Sequence, residues 1–162
     1  MTHKITLERN KLRFSAAHFT TFGDECERLH GHNYDVLVEI DGSLTADSWV
    51  LDFGEVKRIV AGLCGELDHK FLLPLRSSAL DVTSSDNECE IRFAERRYVM
   101  PQKDVVELDI DNSTAERLAE WFAQQISKAL GERGAENVAS VTVGVEEAPG
   151  QAGWFTIHAQ SG

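Results

Sequence analysis

Two histidines at i and i+2, His30 and His32 in Arg28-Leu29-His30-Gly31-His32-Asn33-Tyr34, project from the same side of an extended segment, because strand side chains alternate between faces. Such a pair offers two imidazole nitrogens to one metal ion. A third donor, His18, ends Phe14-Ser15-Ala16-Ala17-His18, another stretch that reads as extended. Cys26, four residues before the pair, is a nucleophile, a base or a fourth ligand. Three neutral nitrogens with an open position describe a catalytic zinc site, whereas a closed shell of four ligands describes a structural one. Spacing alone leaves a plainer alternative: two strand histidines with ordinary hydrogen bonds, and a buried thiol.

Three further positions carry chemistry-bearing side chains. Asp68-His69 follows a predicted helix directly. It is either a helix-end imidazole near the carbonyl dipole or a carboxylate orienting a proton-carrying ring. Glu116 falls where a capping box opened by Ser113 puts a glutamate. Glu146 ends an alternating strand beside Glu147, where a solvated strand end is the simplest reading.

Residues 4–19 alternate weakly, as one long strand or a hairpin broken near Arg9-Asn10. Residues 19–29 form a loop that turns at Gly23-Asp24. From His32 onward Tyr34, Val36, Val38 and Ile40 share one face of a half-buried strand that ends at Asp41-Gly42. Asp52 caps a helix over 53–66, with Val56, Ile59, Val60, Leu63 and Leu67 at helical spacing and Cys64 as a structural thiol. Ser113-Thr114-Ala115-Glu116 opens a second helix, which stops near Gly131. Val141, Val143 and Val145, a turn at Pro149-Gly150, and Trp154, Thr156 and His158 make a closing hairpin. Between the helices, 74–111 holds a polar stretch from Arg76 to Asn87 and a hairpin turning at Ala94-Glu95-Arg96. This order indicates one α+β domain over 1–162, with helices on one face of an antiparallel sheet.

The chain has 162 residues, 42% of them hydrophobic, enough for one domain with a core. Its formal charge of −11 argues against nucleic acid, whose binding rests on Lys and Arg neutralising phosphates, and against an anionic membrane. A local basic cluster could still take an anionic small molecule. Three cysteines without a C-x-x-C, an N-terminus without the apolar core of a signal peptide, and no apolar run near the ~20 residues of a membrane span point to the cytoplasm.

The strings Phe-Ser-Ala-Ala-His at 14–18, Cys-Glu-Arg-Leu-His-Gly-His at 26–32 and Leu-Asp-His-Lys at 67–70 resemble, in order, the 6-pyruvoyltetrahydropterin synthase / 6-carboxytetrahydropterin synthase family. A cupin would need a glutamate four or five positions after the histidine pair, where Val36 and Leu37 stand. The resemblance implies a tunnelling fold (T-fold), four antiparallel strands backed by two helices, here with a long hairpin-like insert at about 74–111. It also implies a homo-oligomer, a hexamer built as a dimer of trimers. It maps zinc ligands onto His18, His30 and His32, a catalytic cysteine onto Cys26, and a catalytic pair onto Asp68 and His69. Thr114 and Glu116 would line the pterin pocket, and Glu146 would receive the pterin's amino and N3 protons; Glu147 follows where threonine is frequent. One branch of the family carries glutamate at the cysteine position and shows retro-aldol-type cleavage. Here Glu25 and Glu27 flank Cys26, and the cysteine holds the register position.

The reaction implied is zinc-dependent conversion of 7,8-dihydroneopterin triphosphate to 6-carboxy-5,6,7,8-tetrahydropterin, with loss of triphosphate and acetaldehyde, on the route to queuosine and related deazapurines. Arg28 and Lys70 are candidate triphosphate contacts by proximity. The alternatives are a 6-pyruvoyltetrahydropterin synthase that stops at triphosphate elimination, a lyase that cleaves dihydroneopterin, and a non-catalytic pterin-binding member whose insert reshapes the pocket.

Overall fold

The longest strand organises the sheet. In the computed structural model, which describes residues 1–8 and 12–159, β5 (His30–Gly42) carries Tyr34, Val36, Val38 and Ile40 inward, each almost completely buried. β1 (His3–Leu7) pairs antiparallel with its far half and β2 (Arg13–His18) with its near half. These two strands therefore follow one another along β5 instead of pairing together. The expected break at Arg9-Asn10 lies outside the described residues.

β11 (Val138–Ala148) runs antiparallel along the other side of β5, and β12 (Gln151–His158) antiparallel to β11. β2, β5, β11 and β12 are thus the four antiparallel strands expected. Two more strands extend the sheet beyond them. β6 (Lys70–Pro74) lies parallel to β2, and β10 (Val105–Leu108) parallel to β6. The sheet is consequently mixed. Phe71, Leu72 and Leu73 are all buried, and a short apolar run of this kind carries no periodicity that separates a strand from a buried helix turn.

α1 (Phe53–Leu67) and α2 (Ala115–Glu132) cover one face and share a single apolar core with the inward residues of the sheet. Asp52 caps α1 by accepting from the Gly54 N–H, while Glu55 pairs with Arg133 and does not complete a capping box. α2 is capped by Thr114, whose hydroxyl accepts from the Arg117 N–H, one residue later than expected. Phe122 of α2 packs on Phe14 with ring centroids 5.8 Å apart and is fully buried; losing such a side chain costs about 3–5 kcal/mol.

The insert is a three-stranded sheet of β7 (Asp81–Ser84), β8 (Glu88–Phe93) and β9 (Arg96–Pro101). β7 lies inside the polar stretch from Arg76 to Asn87. All four of its residues are exposed, so only its backbone pairing with β8 defines it. The turn is Ala94-Glu95, with Ala94 at φ +48°, and Arg96 opens β9. This sheet buries Cys89 and Ile91 against Phe19, Cys26, Phe71 and Leu73, a second apolar cluster beneath the loop that leads to the histidine pair. Within that loop β3 (Thr21–Phe22) and β4 (Glu25–Cys26) pair about Gly23, whose φ of +56° suits glycine. Among the described residues no helix is long and apolar enough to cross a membrane.

Candidate metal centre and adjoining cavity

Register brings the three histidines together. His18 of β2 lies opposite His30 of β5, and Ala16 opposite His32, so alternation puts all three rings on the core face at one end of the sheet. One donor nitrogen from each lies within 4.8 Å of the other two. Gly31 permits this approach, since a Cβ there would meet the Ala16 carbonyl oxygen at 2.9 Å.

The hydrogen bonds select the tautomers. The Nδ1 of His18 lies 2.9 Å from the carbonyl of Ser113, and that of His30 lies 2.7 Å from the carbonyl of Arg28. A carbonyl only accepts, so each Nδ1 carries its hydrogen, and in the neutral ring Nε2 is the nitrogen with the lone pair. The Nε2 of His18 is buried without a hydrogen-bond partner. Burial pulls the His18 pKa down to about 4, partly opposed by the Ser113 bond, so this ring is neutral at physiological pH. A neutral imidazole oriented by a carbonyl, with its other nitrogen unpartnered in a three-nitrogen cluster, is suited to a divalent ion such as zinc.

Ser113 has moved from its expected role as helix cap to that of a support. It is fully buried, its hydroxyl donates to the Phe19 carbonyl, and its own carbonyl orients His18. The side chain of Asn112 holds both the N–H and the carbonyl of Thr21. The start of α2 is therefore tied to the loop that carries the metal-side residues.

A cavity of about 500 Å³ opens beside the rings, lined also by Glu27, Thr114, Glu116 and Glu147. The Glu27 carboxylate lies 4.0 Å from His30 Nε2, and that of Glu147 lies 4.0 Å from His32 Nε2. Burial alone would raise the Glu27 pKa. Hydrogen bonding from Thr20 and the nearby His30 and His18 outweigh it, leaving the carboxyl below its usual range. Gly153 lets the start of α2 form the cavity wall, because a Cβ there would sit 2.4 Å from the Glu116 nitrogen. The nearest atoms, from Ala115 and Glu116, are all backbone, so Gly153→Ala should cost about 1–3 kcal/mol, read by chemical denaturation.

The other expected site residues lie elsewhere. Glu146 turns away from the histidines and accepts from the Gly150 N–H in its own hairpin. Glu147 is the strand-end carboxylate that faces them, in phase with Val141, Val143 and Val145, and that alternation was a usable signal in the sequence. Cys26 is 9% exposed and packs in the second apolar cluster. It lies outside the three-histidine group. Burial raises its thiol pKa, against a smaller opposing effect of Arg96. Glu27 takes the place expected of Cys26 because neighbours in a hairpin face opposite ways, so a thiol in the apolar cluster leaves the adjacent carboxylate toward the histidines.

Asp68 and His69 form a pair, Nδ1 to carboxylate 2.8 Å, on a different surface. Asp68 also accepts from the Ser15 N–H, and the His69 N–H donates to the Ser15 carbonyl. These bonds hold His69 at φ +58°, a left-handed conformation that costs an ordinary residue on the order of 1–2 kcal/mol. The helix-dipole alternative gives way to this pairing. The His69 ring is 82% exposed and lines an adjoining, mainly apolar cavity with Leu29, Phe71 and Met100. His32 lines both cavities.

Comparison with known proteins places this arrangement among relatives. The family model for 6-pyruvoyl tetrahydropterin synthase matches residues 6–157. A Methanocaldococcus jannaschii protein provisionally named 6-carboxy-5,6,7,8-tetrahydropterin synthase is 36% identical over 141 residues, covering 86% of each chain. An Aquifex aeolicus 6-carboxy-5,6,7,8-tetrahydropterin synthase is 30% identical over 112 residues, 68% of this chain and 62% of its own. The solved structure of Plasmodium vivax 6-pyruvoyltetrahydropterin synthase, in a variant with a catalytic glutamate changed to alanine, is 28% identical with a TM-score of 0.91, covering 98% of this chain and 99% of that one.

Proposed function

Because the chain belongs to the 6-pyruvoyl tetrahydropterin synthase family, we propose that it converts 7,8-dihydroneopterin triphosphate to 6-carboxy-5,6,7,8-tetrahydropterin, as a lyase releasing triphosphate and acetaldehyde. That it is a pterin synthase acting on a small pterin follows from the family and from the relatives' names. The carboxy product follows the names of the Methanocaldococcus and Aquifex proteins. One observation carries the reading: three convergent imidazoles, one with an unpartnered buried nitrogen, beside carboxylates in a cavity of ligand size.

His18, His30 and His32 would hold the metal, proposed to be zinc. When bound it would supply Lewis acidity to the hydroxyl and carbonyl oxygens of the substrate side chain. The Glu27 carboxylate would take a side-chain proton beside the histidines. Glu147 would accept the amino and N3 hydrogens of the pterin, a two-point contact matched to a guanidine-like edge. Thr114 and Glu116 would form the wall opposite.

The Asp68–His69 pair remains a proposed proton carrier, and Cys26 one only in an alternative arrangement of the chain. Cys26 would reach the cavity only if its hairpin turned over. His69 lies over the adjoining cavity, and a neighbouring subunit would be the means of presenting such a pair to this one. The sheet ends in β10 and β12, whose outer edges are unpaired among the described residues, and assembly into a homo-oligomer would cover them.

Glu147→Gln should raise KM by roughly 10–100-fold, as expected for loss of a charged hydrogen-bonding pair, while Glu146→Gln leaves KM within about twofold, the scale of an exposed polar change. Steady-state kinetics with the triphosphate substrate separates the two.

Incubation of the purified protein with 7,8-dihydroneopterin triphosphate tests the reaction. Acetaldehyde release supports the carboxy product, and triphosphate release without acetaldehyde identifies the 6-pyruvoyl product. No consumption rejects both. A second reading draws on the orientation of Glu27: retro-aldol cleavage with a carboxylate base. Turnover of dihydroneopterin to a 6-hydroxymethyl product would select it.

A further inference from the structure

Cys26 and Glu27 are adjacent, and both side chains can carry protons. They sit on a two-stranded ribbon in which the Glu27 N–H donates to the Thr20 carbonyl and Cys26 lies opposite Thr21. Neighbours on such a ribbon face opposite ways. One of them must therefore point to the histidines while the other points into the apolar cluster beneath the insert. A turn-over of the ribbon would exchange them.

Arg96, about seventy residues away, holds this dipeptide from outside. One arm of its guanidinium donates to the Cys26 carbonyl and the other to the Glu27 carbonyl, the latter at 2.9 Å. The guanidinium carbon also lies 5.5 Å from the centre of the Phe93 ring, which flanks the same turn. A planar fork stacked on an aromatic ring is pre-organised, and gripping both carbonyls fixes the two peptide planes that flank Glu27. Thr20 secures the other side, its N–H donating to the Glu27 carboxylate.

We propose that Arg96 is a positioning residue which selects the acid–base group of the cavity, keeping the Glu27 carboxylate toward the three histidines and the Cys26 thiol inside the apolar cluster. The inserted sheet thereby acts on the choice of chemistry without contributing a side chain to the cavity. The catalytic consequence rests on the pterin-synthase reading, whereas the orientation of the ribbon does not.

The test uses Arg96→Met and Arg96→Lys in the full chain, with two readouts. The first is the rate at which iodoacetamide alkylates each cysteine at neutral pH, followed by peptide mass mapping. Cys26, Cys64 and Cys89 are all buried. In Arg96→Met, Cys26 should react at least about tenfold faster while Cys64 and Cys89 stay protected, the pattern of a local opening. Loss of the guanidinium removes a positive charge that favours the Cys26 thiolate, so electrostatics alone would slow the reaction, and a rise reports exposure.

The second readout is kinetic. Here kcat should fall by roughly 10–100-fold, the scale of a small misplacement of a reacting group, with KM and zinc content unchanged. Arg96→Lys, which keeps the charge and the donors but lacks the planar fork, should fall between the parent and Arg96→Met in both readouts.

Unchanged Cys26 labelling in Arg96→Met overturns the proposal. So does faster labelling of all three cysteines together, which would mark general loss of stability. If the parent protein turns over no pterin, the labelling pattern alone decides the role of Arg96, and the two failures are told apart.

Discussion

His18→Ala is expected to abolish stoichiometric zinc uptake and, with it, turnover. The Nε2 of His18 is buried and has no hydrogen-bond partner. Leaving such an atom unsatisfied in the metal-free chain costs about 1–3 kcal/mol, so a cation there relieves a deficit besides gaining a ligand. Zinc added to metal-free parent at a hundredfold excess over its dissociation constant should stabilise the fold by about 2.7 kcal/mol. For a domain of this size that raises Tm by roughly 5–10 °C. In His18→Ala the rise should vanish. Metal analysis and calorimetry on the same samples give both answers, and a parent whose Tm ignores zinc would refute the metal assignment.

The same ring gives a pH dependence in the metal-free state. The folded pKa of His18, about 4, lies below its ordinary value of 6.5. Between these values the unfolded chain binds more protons than the folded one, so stability rises with pH. The contribution is complete above about pH 6.5 and is lost as the pH falls toward 4. His18→Ala should lack that part of the acid sensitivity, measured by urea denaturation of metal-free protein across this window.

Glu27→Gln is expected to lower kcat by about two to four orders of magnitude, the usual contribution of a positioned general base, with zinc content retained. Glutamine keeps the shape and can still accept from the Thr20 N–H. The change therefore removes the proton acceptor and leaves the ribbon in place. Cys26→Ser in parallel should cost much less, because the thiol packs among Phe19, Phe71 and Cys89. The reverse order of effects would mean that the ribbon turns over during catalysis.

Much of the site could be read from spacing. The histidine pair flanking Gly31 announces its own geometry, since an i, i+2 pair in a strand must share a face. Both helices and the closing hairpin followed from periodicity and caps, with boundaries displaced by one or two residues at Ser113/Thr114 and at Gly131/Glu132. Glu146 was the strand-end carboxylate expected to face the pocket, whereas continued alternation from Val141, Val143 and Val145 favours Glu147, which lines the cavity. β6 and β7 were hidden for opposite reasons, one buried at every residue after Lys70 and the other exposed throughout. Neither shows a period, so each is defined by its hydrogen-bonded neighbour alone.

The sequence by itself determined which side chains could ligate a metal, which elements would carry them and the family to which the pattern points. Tertiary structure alone decided which partners they meet. His18 finds its orienting carbonyl at Ser113, and Arg96 reaches the Cys26–Glu27 dipeptide across two different sheets. Local pattern encodes the face a residue presents, because that depends on backbone geometry within a few residues. Which distant group stands opposite depends on strand register and on the packing of the insert, whose energies are spread over the whole core.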